Sequence, residues 1–213
     1  MSDATGPGFH KPVRRPSEMF DRLFGTEDPA DVSRVAHSTA AALLSRVREE
    51  PDASVVDRLV QFTDLHGIHD IAELWSRSPA RTLPGTLWRL YLLQLMIHDD
   101  PRTAALLFER GRVELSTADV VVAGAPAPAG PEELVELSDT ILRGVFEGDF
   151  GVALERAAAF CRVEADGATR LADDYELTEP ERATDLTTRA LRLSAFAADL
   201  TAAASLWRRD TLN

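Results

Sequence analysis

Residues 139–160 read DTILRGVFEGDFGVALERAAAF, and residues 90–111 read LYLLQLMIHDDPRTAALLFERG. The two stretches share one plan. Each has an apolar helix, a tight turn closing on Asp149 or Asp100, and a second helix with Ala153 or Ala104 four residues later. Aspartate at that place accepts from the open N–H groups of the new helix, and the small residue lets two backbones approach. The pattern predicts helices packed in pairs.

The rest of the chain keeps the 3.6-residue period. Ser17 is placed to cap a short helix whose Met19, Phe20, Leu23 and Phe24 form one apolar stripe, with Gly25 ending it. Asp28-Pro29 opens a helix to about Glu49, and Pro51-Asp52 restarts one that stops near Gly67. A shorter segment carries Ile71, Leu74 and Trp75. Pro84 starts the most hydrophobic helix, reaching His98, and Asp100-Pro101 starts another that ends at Arg110-Gly111. STAD at 116–119 has the form of a capping box, and the VVVAG that follows fits either a short helix or a buried strand. AGAPAPAGP, 123–131, is the clearest linker. Helices follow over 131–147 and 149–165, and the last opens at TEPE, where Thr178 and Glu181 make a capping box around Pro180. About nine helices and no alternating strand predict an all-α fold, an irregular multi-helix bundle of packed αα-hairpins. Residues 17–213 are expected to form a single helical domain that would subdivide, if anywhere, at 123–131. Residues 1–16 precede it as an extended basic arm.

The charge is segregated. The chain of 213 residues carries −12, yet residues 1–16 set Asp3 against Lys11, Arg14 and Arg15, a balance of +2 that leaves −14 on the remainder. Such a body repels nucleic acid and anionic membrane. The single cysteine, Cys161, excludes an intramolecular disulfide and suits an intracellular compartment. No signal-peptide pattern opens the chain, and its longest apolar stretch, LWRLYLLQLMI from Leu87 to Ile97, is too short to span a bilayer. A cytoplasmic protein is therefore expected, with no membrane association.

Common catalytic motifs are missing: no phosphate-cradling glycine loop, no G-x-S-x-G, no H-E-x-x-H and no paired-cysteine zinc spacing. No cofactor is expected. Cys161 shares a helix face with Leu154, Ala157 and Ala158, as a buried structural thiol would. Trp75, Trp88 and Trp207 read as core anchors or patch edges. The candidate partner-binding residues are those of the arm and the helix after it: His10, Lys11, Arg14, Arg15, Met19, Phe20, Leu23 and Phe24. Pro12 and Pro16 discourage a helix across the cations, while the apolar stripe beyond must meet either the body or a partner.

Three resemblances bear on function. EGDFGVALERA resembles the turn of a tetratricopeptide repeat, although the two related stretches lie 49 residues apart, where that family repeats at about 34. His37-Ser38 on one helix, followed by His69-Asp70, resembles the ligand order of HD-domain phosphohydrolases, all-α enzymes that bind a divalent metal and activate water. That resemblance implies His37, His69 and Asp70 as ligands, with Asp119 or Asp139 as the last. The alternative places Asp70 in the first turn of a helix, where a carboxylate favours the dipole. Finally, FHKPVRRPSEMFDRLFG, IAELWSRSPARTLPGTLWRLYLL and ILRGVFEGDFGVALERAAAFCRV resemble a family of small actinobacterial helical proteins, some of which are labelled RNA polymerase beta subunit. At this length the label implies at most an accessory protein of the transcription apparatus. The residues themselves point first to a non-enzymatic interaction or regulatory module with an unknown protein partner.

Overall fold

The computed structural model describes residues 29–49, 75–114, 118–125 and 130–213. Seven α-helices lie among them: α1 (Pro29–Glu49), α2 (Leu83–Asp99), α3 (Pro101–Glu114), α4 (Ala118–Ala123), α5 (Pro131–Glu147), α6 (Phe150–Tyr175) and α7 (Pro180–Arg208). The described residues contain no strand. None of the described helices is long and apolar enough to cross a membrane. The arm, the helix expected after Ser17, and the segments expected around Pro51 and Ile71 lie outside the described residues.

The aspartate turns form as their spacing requires. Asp100 accepts from the backbone N–H of Thr103 at 3.0 Å, and Asp149 from that of Val152 at 3.2 Å. Ala104 and Ala153 are both buried, and the Ala153 methyl sits close against Gly144. Thr82 caps α2 by accepting from the N–H of Gly85.

Three helix boundaries differ from those expected: the start of α7 and the ends of α3 and α6. Of the two readings open for VVVAG the helix holds: its three valines and Ala123 lie in α4, and Gly124 follows with φ +75°. Ser116 and Thr117 of the STAD box lie outside the described residues. The N-cap of α7 is Glu179 rather than Thr178, with no side-chain cap bond, and Pro180 holds the first turn. Most informatively, α3 continues through Gly111 to Glu114, and α6 runs ten residues past 165, through Gly167 to Tyr175.

Those two glycines meet. A Cβ on Gly111 would overlap the Val163 carbonyl oxygen, and one on Gly167 would overlap that of Leu107 and come within 2.9 Å of the Gly111 nitrogen. The two helices therefore cross backbone against backbone, each supplying a glycine to the other's carbonyl. Only a residue without Cβ permits this, and the approach suits weak Cα–H···O contacts.

Helix α6 is the axis of the described body, packing against α3, α4, α5 and α7. One apolar cluster draws on Ala36 and Ala40 of α1, Ile97 of α2, Phe108 of α3, Leu134 of α5, Phe160 of α6 and Leu200 of α7. Phe108 and Phe160 stack with centroids 5.3 Å apart, and Trp207 meets Phe150 edge-on at 4.8 Å. Trp75 is buried and donates to Thr39 Oγ1 at 3.2 Å. Trp88 lies at the core's edge, tilted against Tyr91. Cys161 is wholly buried.

Candidate functional site

Helices α2 and α7 run antiparallel. Arg89, early in α2, donates to Asp199, late in α7, at 3.2 Å, while Asp100 at the end of α2 lies within the field of Arg189, nearer the start of α7. Beyond α7, Leu83 donates its N–H to the Asn213 carbonyl at 3.0 Å. Between the two helices lies a groove of about 520 Å³, lined by Leu92, Met96, Asp185, Thr188, Arg189, Arg192, Leu193 and Phe196.

The helical period builds this surface. Leu92 and Met96 lie one turn apart on α2, and the α7 residues fall on one stripe of three turns, about 16 Å long. The stripe has polarity: Asp185 at one end, Arg189 and Arg192 in the middle, Leu193 and Phe196 at the other. Arg89 closes the apolar end, its guanidinium 5.8 Å above the Phe196 ring and tied to the Gly85 carbonyl. Arg192 is exposed and has no ion-pair partner among the described residues. The lining of the groove is thus half apolar, from Leu92, Met96, Leu193 and Phe196, and half polar, from Asp185, Thr188, Arg189 and Arg192.

Behind Arg189 stands Glu164 of α6, fully buried. The shortest approach between the two, Arg189 Nη2 to Glu164 Oε2, is 3.7 Å, too long for a hydrogen bond. Both carboxyl oxygens, and the Nε and Nη2 of Arg189, are buried with no hydrogen-bond partner. Loss of water around Glu164 pushes its pKa up to about 8, with the Arg189 charge opposing only part of that rise. At neutral pH the carboxyl is mostly protonated, and Arg189 keeps its positive charge beside the groove.

The residues singled out from sequence fall elsewhere. His10, Lys11, Arg14, Arg15, Met19, Phe20, Leu23, Phe24, His69 and Asp70 lie outside the described residues. His37 is half-buried on α1, and its Nδ1–H donates to the Ser33 carbonyl at 2.7 Å, an ordinary helix-surface bond. The two candidates for a last metal ligand are each engaged. Asp119 takes two bonds from Arg162, at 2.7 and 2.9 Å, and Asp139 accepts from Gln94 at 2.9 Å and His98 at 3.0 Å. Among the described residues no group of three or more His, Cys, Asp or Glu is placed to hold a metal ion. Burial pushes the Cys161 thiol well above its usual range, away from nucleophilic use.

Sequence reading missed Glu164, although its signal is present. It follows Cys161 by three residues and precedes Ala168 by four, so a carboxylate interrupts the apolar stripe of α6. Arg189 carries no such mark, because nothing local says that its side chain reaches across to a second helix. Compared with known proteins, the chain matches no family model, no curated protein and no solved structure.

Proposed function

We propose that this chain is a non-enzymatic, cytoplasmic helical module for interaction or regulation, and that the α2–α7 groove is its working surface. In this reading the body is a scaffold of packed αα-hairpins, about nine helices in all, and the basic arm is a second contact for a protein partner. The groove carries the proposal, because it gathers three half-buried apolar side chains, Leu92, Met96 and Phe196, and two cations in one concave stripe. Surface arginines beside aromatic and methionine side chains are the composition of recognition sites.

The double variant Met96→Glu/Arg192→Glu reverses the groove's character at two solvent-accessible positions. It is expected to keep its helical circular dichroism while losing at least tenfold in recovery of whatever the intact chain captures from its source lysate. Recovery equal to that of the intact chain would refute the groove as the working surface. Deleting residues 1–16 tests the arm separately: retained helicity with lost capture is expected, and co-purified RNA polymerase subunits that vanish with the arm would give the partner its name.

A further inference from the structure

We propose that the α2–α7 groove binds a medium-chain aliphatic carboxylate, its head on Arg192 in the field of Arg189 and its chain along Leu92, Met96, Leu193 and Phe196. The inference rests on the groove being the working surface and names the chemistry of its occupant.

Charge sets the head. Arg192 has no carboxylate partner among the described residues, and Arg189 stands 3.7 Å from the one buried acid beside it, without a hydrogen bond. Arg192 thus borders the groove with unused donors, and Arg189, whose unmet Nε and Nη2 are buried toward Glu164, adds a second positive charge one helical turn away. The open fork of Arg192 favours a planar oxyanion, which it can meet with charge-assisted bonds, and the Arg189 charge beside it adds to the attraction. Asp185 lies one turn beyond Arg189 and repels an anion from that end, so the head is held in the middle of the stripe.

Shape and polarity set the tail. From Arg192 the lining turns to Leu193 and Phe196 on one side and Leu92 and Met96 on the other, until Arg89 closes it over Phe196. Arg89 is itself committed to Asp199 and the Gly85 carbonyl, so this end offers contact to hydrocarbon rather than a second anion site. The flexible thioether of Met96 can adapt to the first carbons of the chain beside the head. A volume of about 520 Å³ suits an aliphatic acid of moderate length.

Glu164 gives the site a signature that a generic greasy groove lacks. The charged or titratable groups that face the Glu164–Arg189 pair are Cys161 on α6, Asp100 at the α2–α3 corner, and Asp185 and Arg192 on α7. Below pH 8 Glu164 is mainly neutral and the Arg189 charge stands uncompensated beside the groove; above it, the ionised carboxylate 3.7 Å away offsets that charge.

Isothermal titration of the full chain with sodium octanoate, and with octanol as the neutral counterpart, tests the proposal. Octanoate is expected to bind at pH 7 at least tenfold more tightly than octanol. Arg192→Gln, an exposed change, should weaken octanoate at least fivefold and leave octanol unchanged. Octanoate affinity should fall severalfold between pH 7 and pH 9 in the intact chain and stay level in Glu164→Gln. Equal binding of octanoate and octanol, or octanoate binding indifferent to Arg192→Gln, would overturn the inference. So would no octanoate binding at all, and in that case partner capture by Met96→Glu/Arg192→Glu still judges the groove independently.

Discussion

A carboxyl with no exposed surface and no hydrogen bond is an unusual thing for a fold to keep, and Glu164 has a measurable effect on stability. Its pKa is about 8 in the folded chain against 4.5 for the free side chain. The folded state therefore holds a proton that the unfolded state has released between those values, so stability from this group is fullest below about pH 4.5. It is lost as pH rises through 8, and is level above. Replacing Glu164 with Gln removes the titration. In urea denaturation at pH 5, 7 and 9, the intact chain should lose on the order of a few kcal/mol relative to Glu164→Gln across that span. A constant difference between the two proteins would show that the carboxyl is not held away from water. Removing Arg189 instead leaves the acid buried alone, which raises its pKa further and extends the same loss of stability to higher pH.

The helix pair α3–α6 depends on two positions where even a methyl group is too large. Gly111→Ala and Gly167→Ala each drive a Cβ into a backbone carbonyl that cannot rotate away, and each should cost about 3 kcal/mol or more. Gly144 is the control. Its added Cβ would meet only the Ala153 methyl at 3.5 Å, an ordinary contact, so Gly144→Ala should be neutral or gain up to about 1 kcal/mol from helix propensity. Chemical denaturation of the three variants separates the cases. The same glycines mark where sequence reading stopped short. In one dimension a glycine after a basic residue has the form of a helix end, which is how Gly111 reads after Arg110. Its actual role depends on Val163, brought to it from another helix, and no local pattern announces that. By contrast Asp100 and Asp149 were legible because a cap is a local device, completed within three residues.

Across the described body, α6 carries several of the tertiary ties. Arg162 joins three helices: it clasps Asp119 of α4 with two bonds and donates to Thr201 of α7 at 3.1 Å. Helix α4 is only six residues long, too short to persist without such a tether. Arg162→Ala should cost only about 1 kcal/mol overall, since the pair is part-exposed. It should also raise amide exchange across 118–123 tenfold or more while α6 and α7 stay protected, and uniform exchange in all three would refute the tether. The candidate site was harder to read than the fold because it is made between elements. Helical class, the aspartate turns and the buried thiol follow from periodicity within single segments. The groove needs Leu92 beside Phe196 and Arg189 beside Glu164, pairings fixed only when α2, α6 and α7 assemble. The crossing of Gly111 and Gly167 has a consequence beyond stability. A distant chain that shares this architecture could replace nearly every apolar residue with another of similar size, but it would have to keep glycine at both of these helical positions. The pair is thus a two-letter fingerprint by which kinship could be recognised after overall similarity has faded.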